Sequence, residues 1–75
     1  MRVMVFGVLT DVIGKSTFEI PSPENSDALL NFLHNSYPFL KNYRFEVIVN
    51  REKLQGNIPL NNNDQVVLLP PYSGG

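Results

Sequence analysis

The chain has 75 residues, 43% hydrophobic and 17% charged, with a net charge of −1, one histidine and no cysteine. It is the size of one domain, without the basic footprint of a nucleic-acid or anionic-membrane binder. It has no thiol nucleophile, thiolate metal site or disulfide. No apolar run approaches the ~20 residues of a membrane span, and no secretory leader is recognisable, so the expected location is the cytoplasm.

Val3, Val5, Phe6 and Val8 predict a first strand over residues 1–9. Residues 10–14 form a short connection ending at Gly14, and residues 15–20 a second strand, antiparallel to the first. Pro21 and Pro23 stop that ladder because neither donates a backbone hydrogen bond. Ser26 is the expected helix N-cap, with Asp27 favourable at the positive end of the dipole. Leu29, Phe32 and Leu33 recur at helical spacing, and Pro38 ends the helix near Ser36. Residues 44–50 alternate as a third strand, residues 53–55 allow a short edge strand, residues 61–64 form an Asn-rich turn, and residues 65–70 form the last strand. This order is α+β: a mixed sheet of four to five strands with one packed helix. Residues 1–70 form the domain, and residues 71–75 a flexible C-terminal tail.

One helix covers one sheet face, yet both faces carry apolar residues. Arg2 shares parity with Met4, Phe6 and Val8; Glu46 and Asn50 with Ile48; Gln65 with Val67 and Leu69. Phe6, Ile48, Val67 and Leu69 are therefore expected on the outer face. If their strands are neighbours they form one patch, of a kind that marks partner interfaces. His34 is expected on the solvated helix face, and Tyr37, Phe39 and Tyr43 are expected to pack around the helix exit. Lys15, Lys41, Arg44, Arg51 and Lys53 read as scattered surface charge. Glu24, Asp27 and Glu46 lack the spacing of an acid–base pair.

The end of the chain carries the remaining chemistry. Pro70 and Pro71 hold the exit extended ahead of Tyr72, Ser73, Gly74 and Gly75. The segment from Pro70 could reach roughly 20 Å at ~3.3–3.6 Å per residue. A carboxylate is unreactive toward nucleophiles until activated, and an activating enzyme must close tightly round it. Residues without Cβ fit a narrow channel where others clash.

These elements with the run from Asp64 through Pro70-Pro71 to Ser73-Gly74-Gly75 resemble the small subunit of molybdopterin synthase, the MoaD family, within the MoaD/ThiS ubiquitin-like sulfur carriers. Phe6-Gly7, Gly14, Val49-Asn50 and Pro59-Leu60 extend the resemblance over the chain. It implies a β-grasp fold and a carrier that is not an enzyme alone and binds no cofactor. An E1-like adenylyltransferase (MoeB-like) would use ATP to adenylate Gly75, and a sulfur-donor enzyme would complete the thiocarboxylate. The large synthase subunit (MoaE-like) would accept Gly74 and Gly75 in its active site and pass the sulfur to a cyclic pyranopterin precursor, within a heterotetramer. Phe6, Ile48, Val67, Leu69, Pro70, Pro71, Tyr72 and Ser73 would bind partners. Thiamine carriers share the Gly-Gly end but usually lack Pro-Pro, and ubiquitin-like modifiers tend to be longer. A carrier for thiazole synthesis, a modifier joined to lysines and a plain interaction module remain the alternatives. Where the family usually has Asp-Gly-Asp, this chain has Asn62-Asn63-Asp64, so Asn63 is expected at positive φ.

Overall fold

The computed structural model describes residues 1–71. The chain forms strand β1 (Arg2–Val5), helix α1 (Val8–Ile13), strand β2 (Thr17–Glu19), helix α2 (Ser26–Ser36), a 3-10 helix (Pro38–Asn42) and strands β3 (Glu46–Val49), β4 (Glu52–Lys53) and β5 (Val66–Leu69). The sheet order is β2-β1-β5-β3-β4. β1 and β5 are parallel, and every other pairing is antiparallel. A five-stranded mixed sheet with a main helix across one face, and its first and last strands side by side, is the β-grasp architecture.

Alternation along the strands decides which residues enter the core. Val3 and Val5 of β1, Val47 and Val49 of β3, and Val66 and Leu68 of β5 are buried, against Leu29 and Leu33 of α2 and Leu40 of the 3-10 helix. Burial at ~25 cal/mol per Å² of apolar surface is what holds a domain this small. The parity inferred from Gln65 for the last strand holds: Val66 and Leu68 point inward, Val67 and Leu69 outward.

The first strand is shorter than its apolar run. It stops at Val5, and Leu9 belongs to α1, which replaces most of the expected connection over residues 10–14. Gly7 breaks the strand at φ 63° and ψ −145°. One turn on, Leu9 and Ile13 bury their side chains from the same helix face. Gly14 ends α1 at φ 89°, its N–H donating to the Thr10 carbonyl, a left-handed C-cap that glycine adopts at little cost.

The start of α2 also differs by one residue. Asn25 is the N-cap, its Oδ1 accepting from the Ala28 N–H at 2.9 Å. Ser26 is fully buried, and its Oγ accepts from the Ile58 N–H at 2.8 Å. The loop after β4 thereby locks to the helix, and Asn57 Oδ1 accepts from the Asp27 N–H at 2.9 Å. The helix ends at Ser36, as Pro38 requires.

Positive φ falls elsewhere than at Asn63. Among the described non-glycine residues only Asn50 (φ 51°) and Arg51 (φ 71°) adopt it. They are the two-residue loop of the β3–β4 hairpin, whose strands pair Val49 with Glu52. Two-residue hairpin loops favour positive φ because its twist matches that of the strands.

The helix exit is more open than expected. Tyr37 packs edge-on to Phe18, ring centroids 5.5 Å apart, but Phe39 is 70% exposed and Tyr43 is also exposed. His34 is half-buried rather than solvated, its ring 6.0 Å from that of Phe45.

Candidate functional site

β5 is the central strand, and its neighbours define the surroundings of Pro70 and Pro71. On the face away from α2, Val67 lies between Met4 of β1 and Ile48 of β3. One step toward the tail, Leu69 pairs with Glu46, while Phe6, next after Val5, donates its N–H to the Leu68 carbonyl at 3.1 Å. Phe6, Ile48, Val67 and Leu69 thus share one face across three adjacent strands. Phe6 is 45% exposed and the other three are half-buried.

Met4, 43% exposed, lies opposite Val67, and Val8, 50% exposed, begins α1 beyond Phe6. Met4 extends the patch beyond the four residues picked from the sequence. The parity of Met4 with Arg2 and Phe6 in the sequence already sets it on this side. The patch ends at an ion pair: Lys53 Nζ lies 3.0 Å from Glu46 Oε1. Apolar ground with a charged rim is how interfaces are built.

Gly7 sets where the chain leaves the body. A Cβ built there would lie 2.7 Å from Pro70 Cγ, so the proline ring rests on the bare glycine backbone. Pro70 is half-buried and Pro71 exposed. Pro71 borders an open groove of about 550 Å³ walled by His34, Lys41, Tyr43, Arg44 and Phe45. Lys41 and Arg44, scattered in sequence, meet there. Tyr72, Ser73, Gly74 and Gly75 lie outside the described residues.

The opposite end of β5 is tied by hydrogen bonds. Asn50 Oδ1 accepts from the Gln65 N–H at 2.9 Å, and Asn50 Nδ2 donates to Asp64 Oδ1 at 2.9 Å. Asp64 Oδ2 accepts from the Asn61 N–H at 2.8 Å. The Asn50 amide first, then the Asn61 N–H, hold the Asp64 carboxyl below its ordinary value. Asn50 therefore acts at the base of β5 as well as in its own hairpin.

Among the described residues no cluster of three His, Cys, Asp or Glu side chains could hold a metal, and no helix is long and apolar enough to cross a membrane. The arrangement places a partly exposed apolar face beside Pro70 and Pro71, where the described chain ends.

Known proteins share this form. The ThiS family model matches residues 3–75. The molybdopterin synthase sulfur carrier subunit of Dictyostelium discoideum is 30% identical over 82 residues, covering 99% of this chain and 94% of the relative. The first of two solved structures is the small archaeal modifier protein 1 of Methanosarcina acetivorans (24% identity, TM-score 0.79, 99% of this chain and 94% of that one). The second is the protein–protein complex of subunits 1 and 2 of molybdopterin-converting factor from Helicobacter pylori (27%, TM-score 0.73, 99% and 96%).

Proposed function

This chain belongs to the ThiS family of ThiS/MoaD domains, and on that premise we propose that it is the sulfur-carrier subunit of a molybdopterin synthase. The observation that carries the reading is the continuity of the outer apolar face with the root of the Gly-Gly end: the row Met4–Val67–Ile48 leads through Phe6 and Leu69 to Pro70. A partner seated on that face has the C-terminal residues in reach. The family match running to residue 75 and the Dictyostelium relative support the same reading.

In this function the side chains bind and the terminal carboxylate reacts. An E1-like adenylyltransferase joins the Gly75 carboxylate to the α-phosphate of ATP, releasing pyrophosphate. Sulfur supplied by a donor enzyme at the sulfide level displaces AMP and leaves a thiocarboxylate. Bound to the large subunit, the tail presents that sulfur to a cyclic pyranopterin precursor. The carrier needs no cofactor of its own, and ATP is consumed at the activating enzyme. Gly74 and Gly75 let both enzymes close round the carbonyl without a Cβ in the way.

Mass spectrometry of the protein from its native host tests this. The expected result is a mass gain corresponding to oxygen replaced by sulfur, located on the C-terminal peptide, together with co-purification of a large synthase subunit. An unaltered C-terminus during active cofactor synthesis would refute the proposal. The likeness to the archaeal modifier protein motivates a second reading, attachment of Gly75 to lysines. At 24% identity that likeness establishes the fold alone. Isopeptide-linked adducts in the same spectra would favour it.

A further inference from the structure

The groove beside Pro71 is a different surface from the outer sheet face, and its charge says what it meets. A partner that encloses the tail must close round the point where the chain leaves the body. Pro70 is pinned on Gly7, Pro71 is exposed, and the walls of the groove are the ground next to it. The rim of any receiving channel therefore lies against Lys41, Tyr43 and Arg44, all three exposed.

Lys41 and Arg44 take part in no ion pair among the described residues. Glu46, the carboxylate nearest in sequence to Arg44, is held by Lys53. Three other carboxylates belong to the far end of the strands, and neither Glu24 nor Asp27 borders the groove. Glu19 pairs with Arg2 at the start of β1, Glu52 with Val49 at the end of β3, and Asp64 is bound to Asn50. Asp11 on α1 does not border the groove. A chain whose net charge is −1 thus shows a cationic end where its tail departs. The half-buried Phe45 and His34 rings give those cations a wall of low polarity, which strengthens their attraction for a desolvated carboxylate.

Resting on the sulfur-carrier reading above, we infer that this groove docks an acidic segment at the mouth of the large-subunit channel that receives the tail. The contact steers encounter and fixes the register of entry, while the outer face supplies the apolar contact area.

The test uses the full chain and the large synthase subunit of the same organism. Their affinity is measured by calorimetry at about 50 mM and about 500 mM salt, between which exposed charge pairs are screened. Three carriers are compared: the unaltered protein, the charge reversal Lys41→Glu with Arg44→Glu, and the conservative swap Lys41→Arg with Arg44→Lys. The reversal is expected to bind roughly tenfold or more weakly at low salt, with the gap closing at high salt. The conservative swap should retain affinity, and melting temperatures should match because both side chains are exposed. Equal low-salt affinity for the reversal, or salt-independent binding of the unaltered carrier, would overturn the inference. So would sedimentation showing that the reversal changes only self-association, since the groove would then serve a second copy. If the unaltered carrier neither binds the large subunit nor becomes thiocarboxylated, the carrier reading fails and takes this one with it. If it does both and the reversal matches it, the groove inference alone falls.

Discussion

The two ends of β5 are built on opposite principles. At its start, Asn50, Asn61, Asp64 and Gln65 exchange hydrogen bonds of 2.8–2.9 Å, and the amine of Met1 donates to Asn62 Oδ1 at 3.1 Å. At its finish stand Leu69 and two prolines, which can donate no backbone hydrogen bond, the first of them resting on Gly7. One end is held by polar geometry and the other by shape. The anchored end fixes register; at the finishing end the ladder stops at Leu69, and on the carrier reading proposed above a partner takes the C-terminal residues from there.

The largest effect should come from removing what the free end delivers. Deleting Gly75 is expected to abolish thiocarboxylate formation, read by mass spectrometry, with an unchanged melting temperature. A loss of stability on deletion would show that the two ends are not independent. Next comes the seat of Pro70. Gly7→Ala places a Cβ 2.7 Å from Pro70 Cγ at φ 63° and should cost about 2–3 kcal/mol in urea unfolding. Pro70→Ala in the same chain should recover part of that loss, the backbone strain remaining.

At the anchored end, Asn50→Ala leaves the Gln65 N–H and the Asp64 carboxylate without their partner. It should cost about 1–2 kcal/mol while leaving large-subunit affinity unchanged. The smallest effect is on pH. Because the folded Asp64 carboxyl sits below its ordinary value, its stabilisation is present above the unfolded pKa of about 3.9. It is lost as pH falls through the lower folded value. Asp64→Asn should flatten that part of the urea midpoint's decline below about pH 4. An identical acid limb in the variant would place the acid sensitivity in other carboxylates.

The sequence made the outer and inner faces legible because strand parity is local: Gln65 and Glu46 each declared a polar side and their neighbours matched it. The end of α2 was equally local, set by Pro38. Helix α1 was not legible, because Val8, Thr10, Val12 and Ile13 are strand formers by propensity. Only the break at Gly7 and burial of Leu9 and Ile13 against the rest of the fold turn them into a helix. Ser26 and Asn25 are both ordinary caps, and what separates them is Ile58 and Asn57 reaching back from far along the chain. The groove at Pro71 was invisible for the same reason: Lys41 and Arg44 acquire meaning only when β5 brings the tail's root beside them.

The parallel pairing of β1 with β5 also governs when this molecule can exist at all. Val3 meets Val66, so the central contact joins residues almost a whole chain apart. A topology of high contact order must close that loop before its core is rewarded, which makes folding slow for the size of the domain. On a ribosome the first strand must wait for the last one to be synthesised. An unfinished chain lacks the strand that unites the outer face, so the patch of Phe6, Ile48, Val67 and Leu69 cannot assemble until synthesis has passed Leu69.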